Sequence, residues 1–298
     1  MNSRNIKFSG YLAAVLLVFA AQVTASDFAA EVVSYRGPFG GSPYDDPNSV
    51  LGKPTTRIYS PTFEIFSCSL VYPACNTDPN GNKLVTTINN GAEIVVKFDH
   101  KVADDPGNPY GIDFIVFGNS LFESLGWVSS DTDMEQYFLK SPTDVPGEPV
   151  VISVSQDCNE WYTYSNGPYG DTAFPTNAYA WDLENHCWGD ELDWTRPVDP
   201  NLRVSDFDGL SAADAIELYD GSAGGTGFDL AESGYQWIQY IKVNGSDAGE
   251  IDGFADVAGC GDYRHPYPVG DINKDCKVNM EDFALLVGHW LDCTWDCP

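Results

Sequence analysis

The stretch EIVVKFDHKVADDPGNPYGIDFIVFGN, Glu93 to Asn119, sets two apolar runs on either side of a loop rich in Asp, Pro, Gly and Asn. Within it, AEIVVKFD (92 to 99, counting the preceding Ala92) and GIDFIVFGN (111 to 119) are dominated by β-branched and aromatic residues, partly in alternation, and each is bounded by turn formers. That pattern specifies strands. The same pattern returns in EPVVISVSQD (148 to 157) and YQWIQYIKVN (235 to 244). Few stretches between Glu31 and Val257 hold a helical period, and SAADAIELYDG (211 to 221) is the best candidate for a short helix. A region of roughly 230 residues built this way predicts an all-β fold, one two-sheet β-sandwich with long loops. No internal repeat or low-complexity tract interrupts it.

The first 25 residues read differently. Arg4 and Lys7 precede the apolar run YLAAVLLVFAA, and small residues follow at Val23-Thr24-Ala25. This is the pattern of a signal peptide, residues 1–25, and it predicts a secreted or cell-surface protein. No later stretch has the length of a membrane-spanning helix. Residues 26–258 are then the sandwich domain, and 259–269 a linker, since Pro266 and Pro268 oppose both helix and ladder. Residues 270–298 form a separate small unit, too short for an independent core without metal or disulfide support.

Charge and cysteines narrow the function classes. The chain carries 15 Lys+Arg against 44 Asp+Glu, a formal net charge of −29. Such a surface repels nucleic acid and anionic membrane and favours divalent cations. Eight cysteines, Cys68, Cys75, Cys158, Cys187, Cys260, Cys276, Cys293 and Cys297, all follow the leader. An even count in an exported chain points to disulfides, with connectivity open. A zinc site at His186 and Cys187 is the alternative, although no CxxC or HExxH accompanies them.

The tail segment GDINKDCKVNMEDFALLVGHWL, Gly270 to Leu291, has the spacing of a calcium loop. With Asp271 as position 1, Asp271, Asn273 and Asp275 stand at 1, 3 and 5, the Lys277 carbonyl at 7, Asn279 at 9 and Asp282 at 12. Calcium takes six to eight hard oxygen ligands, which a loop of this length supplies. Position 12 is Asp rather than Glu, and position 6 is Cys276 where glycine is usual. A disulfide from Cys276 to Cys293 or Cys297 is one way to hold that turn. Val278 is expected to anchor the loop, and Phe283, Leu286, Val287 and Trp290 recur at helical spacing.

The pattern D-x-N-x-D-x-x-V-N-x-x-D before an apolar helix resembles the EF-hand-like calcium-binding segment of type I dockerins, present here in one copy. That resemblance implies a calcium-folded docking or anchoring module with a cohesin-like or cell-envelope protein partner. The stretches VLGKP (50 to 54), 93 to 119, VVISVSQDCNEWYTY (150 to 164), GGTGFDL (224 to 230) and YIKVNGSDAGEIDGFADV (240 to 257) resemble, in their order, a family of bacterial secreted and cell-surface proteins. Its members have a jelly-roll sandwich similar to discoidin-like and carbohydrate-binding modules. The resemblance implies a jelly-roll fold and binding of a glycan or another surface polymer.

Acidic and aromatic clusters supply the remaining candidates. Asp104, Asp105 and Asp113 flank the Pro/Gly loop, and Asp252 and Asp256 close the final strand; together they are a candidate second calcium site. Trp181, Trp188 and Trp194 fall in a long polar segment, where exposed rings would stack on sugars, whereas Trp161 is expected in the core. No G-x-S-x-G, HExxH or P-loop occurs, and nothing singles out a catalytic residue. A binding protein is the leading expectation. A glycoside hydrolase with a dockerin-like tag remains open, because two carboxylates suffice for that chemistry. So does a structural surface-layer or matrix protein.

Overall fold

The computed structural model describes residues 26–54, 57–60, 63–66, 70–71, 85–126, 128, 132–259, 261, 266–274 and 278–290. The 1–25 segment and the tail positions Asp275 and Lys277 lie outside the described residues. So do Cys68, Cys75, Cys260, Cys276, Cys293 and Cys297.

Thirteen strands are described: β1 (Glu31–Arg36), β2 (Arg57–Ser60), β3 (Phe63–Phe66), β4 (Thr86–Ile88), β5 (Glu93–Ala103), β6 (Phe114–Gly118), β7 (Val151–Ser155), β8 (Tyr162–Thr163), β9 (Tyr179–Asp182), β10 (Cys187–Glu191), β11 (Thr226–Phe228), β12 (Trp237–Asn244) and β13 (Gly249–Asp256). Two helices accompany them, α1 (Ala212–Glu217) and α2 (Met280–Gly288). A five-stranded sheet runs β1-β5-β12-β7-β8, and a four-stranded sheet runs β11-β6-β13-β4. All their pairings are antiparallel.

The two sheets share one core. Ile94, Val96 and Phe98 of β5, Ile152 and Val154 of β7, and Ile238, Ile241 and Val243 of β12 meet Phe114 and Val116 of β6 and Ile251 and Phe254 of β13. Along β5 and β7 these positions alternate, because successive side chains of a strand point to opposite faces, and register shifts after Ile238 and Ile251 interrupt the alternation in β12 and β13. Burying each such side chain stabilises the fold by about 1.5–3 kcal/mol. The fold is therefore all-β, with two sheets packed face to face.

Strand β6 departs from simple alternation: all five of its residues are buried. Its other face, Ile115 and Phe117, enters a second core with Trp181, Trp194, Phe207 and Tyr219. That core is roofed by the β9–β10 hairpin and by α1, whose N-cap Ser211 accepts the Asp214 amide. A strand buried on both faces reads as an unbroken apolar run. The Phe114-Ile115-Val116-Phe117 sequence has this cause.

Register fixes the two ends of the sandwich. Asp256 lies opposite Phe114, and Trp237 opposite Ala103, so the end of β5, the start of β6 and the end of β13 share one end. Gly118, Val151, Asn244 and Gly249 mark the other. At the first end, His100 bridges the sheets: Nε2 meets Asp256 Oδ2 at 2.8 Å and Nδ1 meets Asp99 Oδ1 at 2.8 Å. Two flanking carboxylates, Asp256 foremost, push the imidazole up to about 9 against the opposing effect of burial.

Candidate cation sites and the tail loop

Each end of the sandwich holds three converging carboxylates. At the β6 C-terminal end they are Glu148, Asp171 and Glu250, whose ligand atoms lie within 4.8 Å of one another. Asp171 is 1% exposed. Its Oδ1 accepts the amides of Asn119 and Ser120 at 2.9 Å each, and its Oδ2 accepts the Glu250 amide at 2.9 Å. Two glycines make room for it: a Cβ on Gly118 would stand 2.4 Å from Asp171 Oδ1, and one on Gly147 2.5 Å from its carbonyl oxygen. Asp171 also has φ of 55°, a left-handed conformation that Asp tolerates better than most residues.

Burial pushes the Asp171 carboxyl up to about 7, with the backbone donors opposing and the Glu250 and Glu148 charges adding to the rise. Burial also raises Glu250, helped by Glu148, and raises Glu148, helped by Asp247. Among the described residues no basic side chain pairs with any of the three. Three carboxylates with raised affinity for protons lack a positive charge that a cation would supply. The donor set is all oxygen, the chemistry that hard cations prefer. These three residues could hold a metal ion.

The opposite end repeats the scheme with Asp104, Asp113 and Asp229. Asp113 is fully buried; Oδ1 accepts the Asp105 amide at 2.9 Å and Asn108 Nδ2 at 3.0 Å, and Oδ2 accepts the Leu230 amide at 2.8 Å. Burial carries it to about 6 against those donors, and Asp104 contributes to the rise. Asp229 caps the turn that follows β11 by accepting the Ala231 amide.

Of the five acidic residues expected to share a site, only Asp104 and Asp113 come together. Asp105 turns to the Gly107 amide, Asp256 is committed to His100, and Asp252 is fully buried on β13. Asp229, Glu148, Asp171 and Glu250 were not singled out from sequence.

In the tail, Asp282 is the third residue of α2 and is buried beneath the loop. Its Oδ1 accepts the amides of Ile272 and Asn273 at 2.7 and 3.2 Å, and its Oδ2 the Asn279 amide at 2.8 Å. These backbone donors, Asn279 first, hold its carboxyl below the usual range. Asn279 accepts the Glu281 amide to complete a capping box, and Asp271 accepts the Lys274 amide. Positions 1, 9 and 12 thus close the loop on the helix start. Val278 is exposed instead of anchoring the loop, and Phe283, Leu286, Val287 and Trp290 are exposed on α2, Trp290 at 69%.

The aromatic expectations need correction. Trp181 and Trp194 are each 5% exposed and belong to the second core, so neither presents a ring to a sugar. Their indole N–H groups donate to Glu135 and Glu191, and Phe117 packs on Trp194 at 5.3 Å. Trp188 is half-buried, edge-on to Trp181. Trp161 is half-buried rather than in the core, with Lys242 Nζ 4.2 Å over its ring. Cys158 and Cys187 are free thiols, not disulfide partners. His186 binds Glu135 at 2.7 Å, and among the described residues neither it nor Cys187 joins a metal-capable cluster.

No family model matches the chain, and no curated protein matches it either. Among the described residues, no helix is long and apolar enough to cross a membrane.

Proposed function

We propose that this chain is an exported binding protein of the bacterial surface. A jelly-roll sandwich takes a glycan or another surface polymer, calcium sets its loops, and a dockerin-like calcium loop and helix provide attachment. The observation that carries the reading is the convergence of Glu148, Asp171 and Glu250 without a compensating cation. Calcium there would neutralise the cluster and tie the segments around 119, 148 and 171 to the start of β13. The glycan preference rests on the resemblance to carbohydrate-binding modules. The docking role rests on the tail's loop spacing and on the exposed apolar residues of α2, which suit a cohesin-like or cell-envelope protein partner.

One observation favours the hydrolase reading instead: an acid raised to about 7 at Asp171 is what general acid catalysis uses. Against it, Asp171 is 1% exposed and both its oxygens already accept backbone amides. It has no path to a glycosidic oxygen, and its role is to organise loops.

Calorimetric titration of calcium into the chelator-treated chain tests the proposal. One equivalent for each acidic cluster and one for the tail are expected. Asp171→Asn should remove one of the sandwich equivalents, and Asp282→Ala the tail equivalent alone. A titration without heat, or one unchanged in both variants, would overturn the calcium assignment.

A further inference from the structure

The solvent face of the five-stranded sheet runs against the charge of the molecule. In a chain of net charge −29, Lys97 and Lys101 of β5 and Lys242 of β12 project from this one face. Register places Lys97 opposite Tyr240, and Trp237 opposite Ala103, so cations and rings interleave across neighbouring strands. Lys101 Nζ stands 3.8 Å from the Trp237 ring centroid, Lys242 Nζ 4.2 Å from that of Trp161, and Lys97 Nζ 5.7 Å from that of Tyr240. Each ring holds an ammonium in place by the attraction of its negative face.

The carboxylates that β1 and β5 offer on this side are already engaged. Glu31 reaches Lys97 at 4.0 Å, Glu93 binds Arg36 and Asn244, and Asp99 binds His100 and the Ser26 amide. Lys101 and Lys242 have no carboxylate within ion-pair distance among the described residues. Two positioned ammonium groups outside ion-pair distance of any described carboxylate, Lys242 sensing Glu93 only at longer range, stand beside half-exposed aromatic rings and suit an external anion that also offers apolar surface.

We infer that this sheet face binds an acidic polysaccharide, a chain of sugar rings bearing carboxylate groups. The inference deepens the glycan-binding reading and rests on it. The carboxylates would pair with Lys101 and Lys242, and the sugar rings would lie along Trp161, Trp237 and Tyr240. Lys242 lies opposite Val95, six residues from Lys101 along β5, so the two lysines stand about 20 Å apart, which suits a repeating charge rather than a single small anion. Single-stranded nucleic acid also combines charge with stacking, but it demands a longer basic track and meets the acidic bulk of the molecule.

The test compares the full chain after leader removal on three probes: an oligogalacturonate too short to gel, a neutral cello-oligosaccharide and oligo(dT). The expected result is preference for the oligogalacturonate, weakened by salt, with a change in tryptophan fluorescence. Lys101→Gln with Lys242→Gln should lower that affinity about tenfold, and Lys101→Arg with Lys242→Arg should retain it. Equal affinity for the neutral oligosaccharide, preference for oligo(dT), or an unaffected Gln variant with unchanged melting would overturn the inference. The first of these leaves the glycan-binding reading standing. Binding to neither oligosaccharide would overturn both.

Discussion

Asp171 and Asp113 each gather three donors around a buried carboxylate, and each is held by burial above the ordinary value of 3.8. The folded chain therefore binds more protons than the unfolded chain from about pH 4 up to their folded values, about 7 and about 6. Without calcium, stability should fall as pH rises through that window. Calcium, which favours the ionised carboxylates, should raise the melting temperature at pH 7.5 and do little at pH 5; thermal scans in calcium and in chelator check this. His100 adds a second window of the same sign. Its contribution is complete below its ordinary value of 6.5 and is lost as pH rises through about 9, so His100→Gln should flatten the alkaline limb alone. Gly118→Ala would drive a methyl into Asp171, and should cost about 1–3 kcal/mol in urea unfolding. Little of this site was legible in the sequence. Glu148, Asp171 and Glu250 are separated along the chain and meet through the Val150–Gly170 bridge and the Glu250 amide on Asp171, whereas Asp104 and Asp113 flank one loop and were found by proximity.

Among the elements, β5, β6, β7, β12 and α1 were legible because apolar periodicity and turn residues mark them directly. The layer over β6 was not. Trp181 and Trp194 sit in a polar segment and looked like contact residues, yet the second face of β6 needs cover and they provide it. The signal was available in the unbroken Phe114 to Phe117 run, which no half-exposed strand would carry. Trp194→Ala should accordingly destabilise the fold by about 3–5 kcal/mol, measured by denaturant titration, in contrast to the small effect expected of a surface contact residue. Helix α2 behaves oppositely. Phe283→Ser with Trp290→Ser should leave the main unfolding transition within about 0.5 kcal/mol, because both side chains are exposed, while abolishing any docking through the tail.

At the scale of the whole molecule, acid is concentrated at the two ends of the sandwich and in the tail loop, while unpaired lysines and aromatic rings share one sheet face. A net charge of −29 opposes compaction, and divalent cations at the converging carboxylates would relieve it. Under the proposed function, calcium would order the loops and the tail, and the lysine-bearing face would take a polymer. The most direct measurement is a polysaccharide binding screen of residues 26–298 in millimolar calcium and again in chelator. Saturable binding to one glycan class in calcium, lost or markedly weakened in chelator, is the expected result. Binding to no polysaccharide in either condition, or equal binding in both, would contradict it.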